Sequence, residues 1–437
     1  MFETVGATLA IKLHRTRNLI ARLPTFYNQF LDFKIEFARL ATFIKKIKMI
    51  KTFFIITMLL SMTSTAQVKK ESGILLKWKL AAELPPTGSR SKSLGFAGAI
   101  NGVSNNVLIV AGGANFPNGL PWEGGKKYYS NEIFVLEKEG KDFVWNKTVK
   151  STLREAIAYC GSTSTEKGIV YAGGENENGI SDKAFIIKWN AAKNEIETRP
   201  LPNLPVALSN IALTHTGDIV YAAGGDEERQ SSNSFFSLDL NKKNHPWESL
   251  PDLPIALANA TLISQAGRAG ENIFLIGGRT KTASGISDLH NTTFAYDPAK
   301  KAWKKCADIS DGKNTSNLSA AAGVAIDKNY ILMVGGDNGK TFHKIETYIS
   351  QIAKSNSPEE KEKLTKEKNG LSIHHNGFYK GLLLYDTKRN KWTNIGDYPF
   401  PAQVTTNAVK WGNEIVISNG EIKPGVRTAG VVIGSVK

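Results

Sequence analysis

An all-β fold, a six-bladed β-propeller whose ring is closed by the N-terminal strand, is what this sequence predicts, and three observations predict it. First, an apolar, β-branched run ending in Gly-Gly recurs: "VLIVAGG" (107–113), "GIVYAGG" (168–174), "DIVYAAGG" (218–225), "NIFLIGG" (272–278) and "YILMVGG" (330–336), with "EIVISNG" (414–420) as a degenerate sixth copy. Second, each run leads to a strand ending near a tryptophan (Trp145, Trp189, Trp247, Trp303, Trp392) and then to a Leu/Pro tract such as "LPNLP" (201–205), "LPDLP" (250–254) or "IGDYPFP" (395–401). Third, the sixth copy lacks that tryptophan, whereas "LLKWKLAAELPP" (75–86) has Trp78 and a Leu/Pro tract with no Gly-Gly strand before them. The first strand therefore completes the last blade.

Each element has a physical reason. Short β-branched strands punctuated by Gly and Pro, repeating about every 50 residues, suit four-stranded blades. Closing the ring removes the two sheet edges that an open array would expose. One spacing is abnormal: between Gly336 and Trp392 lies a charged segment without strand signals, in which Phe342, Ile345, Ile349 and Ile352 recur at helical spacing. It predicts a helical insertion over 341–376 after a blade's second strand, with Glu359–Lys368 as a solvated face. The diglycine-to-tryptophan pattern resembles kelch repeats across Gly73–Lys437.

The net charge of +15 is concentrated at the N-terminus: residues 1–66 hold ten Lys/Arg against three Asp/Glu, leaving +8 on the rest. No basic-aromatic stripe accompanies it, so nucleic acid is not an expected partner. "MIKTFFIITMLLSMTSTAQ" (Met49–Gln67) has a basic entry, an apolar run and a small-residue exit, the pattern of a secretory signal peptide cleaved after Ala66. Its apolar run is shorter than the roughly 20 residues of a membrane span, so no stable anchor is expected after cleavage. Residues 1–48 read as an upstream extension, 49–66 as the signal peptide and 67–437 as the propeller, exported to the periplasm. The two cysteines, Cys160 and Cys306, are expected to be packed thiols at strands or strand ends.

Antiparallel strands put every loop after a diglycine, and every Leu/Pro loop, on one rim. That rim gathers Asn115, Glu175, Asp226, Arg279, Asp337 and Glu421 from the first set. Asn210, Asn259 and Asn407 come from the second, with Arg154 entering from a similar loop, and Lys127 in "ANFPNGLPWEGGKK" (114–127) is a further candidate. Two readings stay open for these residues: polar caps of turns, or a site around the central opening. The last blade differs from its sisters in carrying Glu421 and Arg427 on either side of Pro424-Gly425, a turn pair. A carboxylate balanced between desolvation and a neighbouring guanidinium can take and give a proton; it can equally be a salt bridge across a turn.

"NGEIKPGVRT" (419–428) together with "GFAGAINGVSNNVLIVAGGANFPNG" (95–119) resembles the N-acetylneuraminate epimerases, and the blade order resembles their cyclically permuted mutarotase group. The resemblance implies interconversion of the α and β anomers of a sialic acid by ring opening and reclosure, with no metal or other cofactor. It further implies Glu421 as proton acceptor and Arg427 as the anchor of the substrate's carboxylate. Asn115, Arg154, Glu175, Asn210, Asn259 and Asn407 complete the expected substrate-binding set. The sequence departs from ordinary kelch repeats by placing asparagines after "LPVALSN" (204–210) and "LPIALAN" (253–259), where an arginine is common. The alternative is a non-catalytic propeller that binds a glycan or a protein. The recurring boxes of sialidases, and the histidine and Cys–Tyr set of a copper-radical oxidase, are not present.

Overall fold

The computed structural model describes residues 73–436, apart from 89, 268 and 269; the segments 1–48 and Met49–Gln67 lie outside the described residues. Six four-stranded antiparallel sheets form the blades. The first runs from the axis outward as Ile100–Ser104, Val107–Ala111, Ile133–Glu139 and Asp142–Trp145. The next four occupy 161–201, 212–249, 261–305 and 322–397. In the last blade Ala408–Trp411, Glu414–Ser418 and Gly430–Val436 are completed by Leu76–Glu83 from the other end of the chain. Trp78 there lies opposite Gly434, whose missing side chain makes room for the indole: a Cβ would come within 2.5 Å of it.

The diglycine strands read as unbroken apolar runs because both faces of each blade are covered. All five residues of Val107–Ala111 are buried; Ile109 packs against the second blade while Leu108 and Val110 pack against the last. One such hydrophobic cluster fills each interface between neighbouring blades. Each buried Ile, Leu or Val contributes about 1.5–3 kcal/mol.

Tryptophans on or beside the outer strands tie four of the six blades to the one before. The indole N–H groups of Trp145, Trp247, Trp303 and Trp392 donate to the carbonyls of Glu83, Pro202, Pro251 and Ala307 at 2.7–3.1 Å. Trp189 does not belong to this set, contrary to the sequence pattern. It sits on the third strand of its blade, paired with Ile196, and fills the core between the first two blades. The tryptophan-to-diglycine distance alone does not separate a third strand from a fourth.

At the rim, each loop entering a blade bridges the residue that follows that blade's glycine pair: Ala97 with Ala114, Ala158 with Glu175, Ser209 with Asp226, Ala258 with Arg279, Ser319 with Asp337 and Val404 with Glu421. The next residue of each entering loop (Gly98, Tyr159, Asn210, Asn259, Ala320, Thr405) is left-handed, with φ between 53° and 63°. Each donates its N–H to the carbonyl of its neighbour at 2.8–3.2 Å, and Gly98 donates to Thr405, so six hydrogen bonds run head to tail around the axis. Asparagine tolerates this conformation better than most residues, which accounts for Asn210 and Asn259 in a way their side chains alone did not.

Two helices, α1 (Phe342–Lys354) and α2 (Pro358–Ile373), stand between the second and third strands of the fifth blade. Ser357 caps α2, accepting from the Glu360 N–H at 3.2 Å, and Pro358 opens its first turn. α1 docks on the fourth blade's loop: Glu346 accepts from the N–H and hydroxyl of Ser287 at 2.7 and 2.8 Å, and His343 Nε2–H donates to its carbonyl at 2.7 Å. No helix among the described residues is long and apolar enough to cross a membrane.

Candidate active site

The rim loops enclose a cavity of about 620 Å³ over the ring of hydrogen bonds, within the range that holds a small-molecule ligand. Glu421, Glu175, Asn210, Asn259, Asp226, Arg279 and Asp337 line it, with Lys127, Tyr159 and Lys281; Phe342, Ile345 and Phe378 roof it from the insertion and its return. Every blade contributes through its diglycine loop or its entering loop. The first reaches the wall through Lys127.

Glu421 is built into position by a two-stranded hairpin, Glu421–Lys423 with Val426–Arg427, turned at Pro424-Gly425. Gly425 has φ +81, which the turn requires and a side chain would resist. Glu421 and Arg427 face each other across the hairpin. Gly425 N–H donates to Glu421 Oε1 at 2.9 Å, and Arg427 Nη2 lies 3.3 Å from Oε2. Burial pushes the Glu421 carboxyl above the ordinary glutamate range, and nearby Asp337 adds to that; Arg427, the Gly425 N–H and Lys127 oppose it without cancelling it.

Arg427, expected to anchor substrate, is instead placed behind Glu421. Its side chain is 5 % exposed and is absent from the cavity wall. The guanidinium stacks 4.6 Å from the Phe116 ring centroid, and Nε donates to the Ala114 carbonyl at 3.4 Å. The loop carrying Phe116 also covers the hairpin tip, where a Cβ on Gly425 would lie 2.9 Å from Pro121 Cδ. Arg427 thus orients the carboxylate through Nη2 and helps close the junction between the first and last blades through Nε, while its buried Nη1 has no hydrogen-bond partner among the described residues. Both family-like segments meet at this junction: Gly420 N–H donates to the Phe96 carbonyl at 2.7 Å.

A second cluster stands beside Glu421. Lys127 Nζ is 3.2 Å from Glu175 Oε1, which also accepts from the Tyr129 hydroxyl at 2.8 Å. The ammonium lies 5.0 Å from the Tyr159 ring centroid. Burial, aided by the bond to Glu175, pushes the Tyr129 phenol up to about 12. On the far wall Asp226 is fully engaged, gripped by Arg279 through both oxygens at 2.6 and 3.3 Å and bonded by Asn210 and Ser231 at 3.1 Å each. Asp337 accepts from the Gly339 N–H at 2.7 Å, yet burial raises its pKa.

Besides Arg427, three further expected residues do not reach the cavity wall. Arg154 is exposed, its guanidinium over Phe185 at 5.7 Å. Asn115 is buried, donating to the Gly95 carbonyl at 3.1 Å. Asn407 lies two residues beyond the ring, bonded to Asn101 and Ser162, and lines a separate cavity of about 330 Å³ among the innermost strands. The residue of the last blade equivalent to Asn210 and Asn259 is Thr405. Sequence reasoning missed Tyr159, Lys281 and His375: a left-handed ring position carries no residue signature, and His375 reaches the wall only through the path of the insertion.

A family model described as N-acetylneuraminate epimerase matches residues 201–437. Relatives of that name share 28 % identity over 234 residues in Brucella melitensis biotype 1, covering 52 % of this chain and 56 % of the relative. The one from Haemophilus influenzae shares 29 % over 231 residues (52 % and 57 %), and the one from Salmonella typhimurium 27 % over 231 residues (52 % and 56 %). The chain spans about half the length of the curated relatives it matches. The family match covers more than half of the 437 residues, and the Glu421–Arg427 hairpin lies within it; this chain belongs to the N-acetylneuraminate epimerase family.

Proposed function

We propose that the protein is a mutarotase that interconverts the α and β anomers of N-acetylneuraminate, with Glu421 as its acid–base group. The observation that carries this reading is a desolvated carboxyl, oriented by Arg427 and the Gly425 N–H, in the wall of a sugar-sized cavity. Anomer exchange requires removal of the anomeric hydroxyl proton, cleavage of the ring C–O bond, rotation of the freed ketone and reclosure on its other face. Glu421 takes the hydroxyl proton and returns it to the ring oxygen, so one group serves both steps. Lys127 and Lys281 bring positive charge to the wall for the substrate's carboxylate, while Glu175, Asn210 and Asn259 offer partners to hydroxyl and acetamido groups.

The test is to release sialic acid as its α anomer with a sialidase and follow conversion to β by proton NMR. Acceleration well above buffer is the expected result; a rate equal to buffer, with binding retained, would make the protein a glycan-binding propeller instead. The Met49–Gln67 segment supports export to the periplasm. N-terminal sequencing of the exported protein should find Gln67 first, and a cytoplasmic, uncleaved chain would refute that location.

A further inference from the structure

Proton transfer through one carboxylate leaves negative charge on sugar oxygens between its two steps, and the cavity holds a group suited to that charge. His375 follows α2 in the turn that returns the insertion to the third strand of its blade. It is 9 % exposed and lines the cavity. Its Nδ1 accepts the Gly377 N–H at 3.0 Å. A ring nitrogen that accepts an N–H carries no proton, so in the neutral ring the proton is on Nε2. No described residue takes that Nε2–H. The Phe378 ring, 5.1 Å away, packs against the imidazole. The turn also abuts the Glu421 hairpin: a Cβ on Gly377 would lie 3.7 Å from the Ile422 carbonyl oxygen.

We propose that His375 is a catalytic hydrogen-bond donor whose Nε2–H stabilises the oxygen that bears negative charge as the sugar ring opens and closes. The proposal rests on the mutarotase reading above. Glu421 removes the anomeric hydroxyl proton; the ring C–O bond breaks with its electron pair going to the ring oxygen; the proton on Glu421 then passes to that oxygen. His375 keeps its proton throughout, so the balance is that of Glu421 alone. Two charged groups face the imidazole, Asp337 from its own blade and Lys423 from the hairpin of the last. Burial lowers the His375 pKa; Asp337 opposes it and Lys423 acts in the same sense as burial, so the neutral ring is favoured. A fixed neutral donor in a dried site gives up no proton and needs no reorganisation, and loss of one such donor typically lowers kcat by about 10²–10³-fold.

Two variants separate donation from mere support of the turn. His375→Asn places an amide oxygen near Nδ1, keeping the bond from Gly377 and removing the donor. His375→Gln places an amide N–H near Nε2. In the NMR assay the asparagine variant should lose about 10²–10³-fold in kcat with KM little changed, and the glutamine variant should stay within about tenfold of wild type. Wild-type kcat in His375→Asn, or equal losses in both folded variants, would overturn the role. Absence of acceleration by the wild-type protein would instead sink the mutarotase reading itself.

Discussion

Glu421→Gln should abolish the acceleration of anomer exchange, lowering kcat by about 10²–10⁴-fold, while leaving the propeller folded and sugar binding within a few-fold of wild type. Glutamine keeps the shape of the side chain and an acceptor for the Gly425 N–H, while the change removes the basic carboxylate together with the negative charge facing Arg427. Wild-type rates in this variant would move the acid–base role elsewhere in the cavity. The same group sets the pH dependence. As a base Glu421 must be ionised, and burial raises its pKa, so the acid limb of kcat/KM should fall above the ordinary glutamate range and disappear with the substitution. The stability linkage has the opposite sign to that of a salt-bridged surface carboxylate. The folded state holds this proton more tightly than the unfolded chain, so stability contributed by protonation is present at low pH. It is lost as pH rises from the unfolded pKa through the raised folded one.

Gly98→Ala should cost about 2–5 kcal/mol of stability, combining a left-handed conformation with overpacking, and should read as a large drop in the urea midpoint. Gly98 has φ +63, but backbone angle is not the main obstacle, because Ala320 holds φ +55 at the equivalent ring position. The obstacle is space: a Cβ at Gly98 would lie 2.6 Å from the Tyr159 backbone nitrogen and 2.5 Å from its ring. The Tyr159 N–H donates to the Gly98 carbonyl at 2.8 Å, and Tyr159 is part of the cavity wall. The substitution therefore pushes apart the first two blades at the floor of the site. A stability change under about 1 kcal/mol would mean that the ring yields there, and that its hydrogen bonds are weaker determinants of the fold than their geometry implies.

The fold was legible in the sequence because its constraints repeat. Glycine pairs mark where a chain must turn with positive φ against a neighbouring blade. Added side chains at Gly224, Gly277 and Gly335 would fall on the carbonyls of Leu257, Leu318 and Gln403. Closure by the first strand followed from counting tryptophans, although Trp189 was the wrong one to count in its blade. The site was legible only in part. Glu421 stood out for the arginine opposite it, since its sister blades carry Ala114, Glu175, Asp226, Arg279 and Asp337 at the same place. Whether that arginine faced the ligand or the carboxylate depended on Phe116 and Ala114, which lie about 310 positions away in sequence, in the neighbouring blade. His375 lay beyond reading, since its place in the wall depends on where two inserted helices return the chain.

The pairing of Leu76–Glu83 with Gly430–Val436 bears on how the molecule comes apart. A linear stack of repeats can shed its outermost unit and keep the remainder. A circle has no outermost unit. The first rupture anywhere bares the apolar flanks of two neighbours at once, so erosion from the termini is replaced by a single concerted collapse.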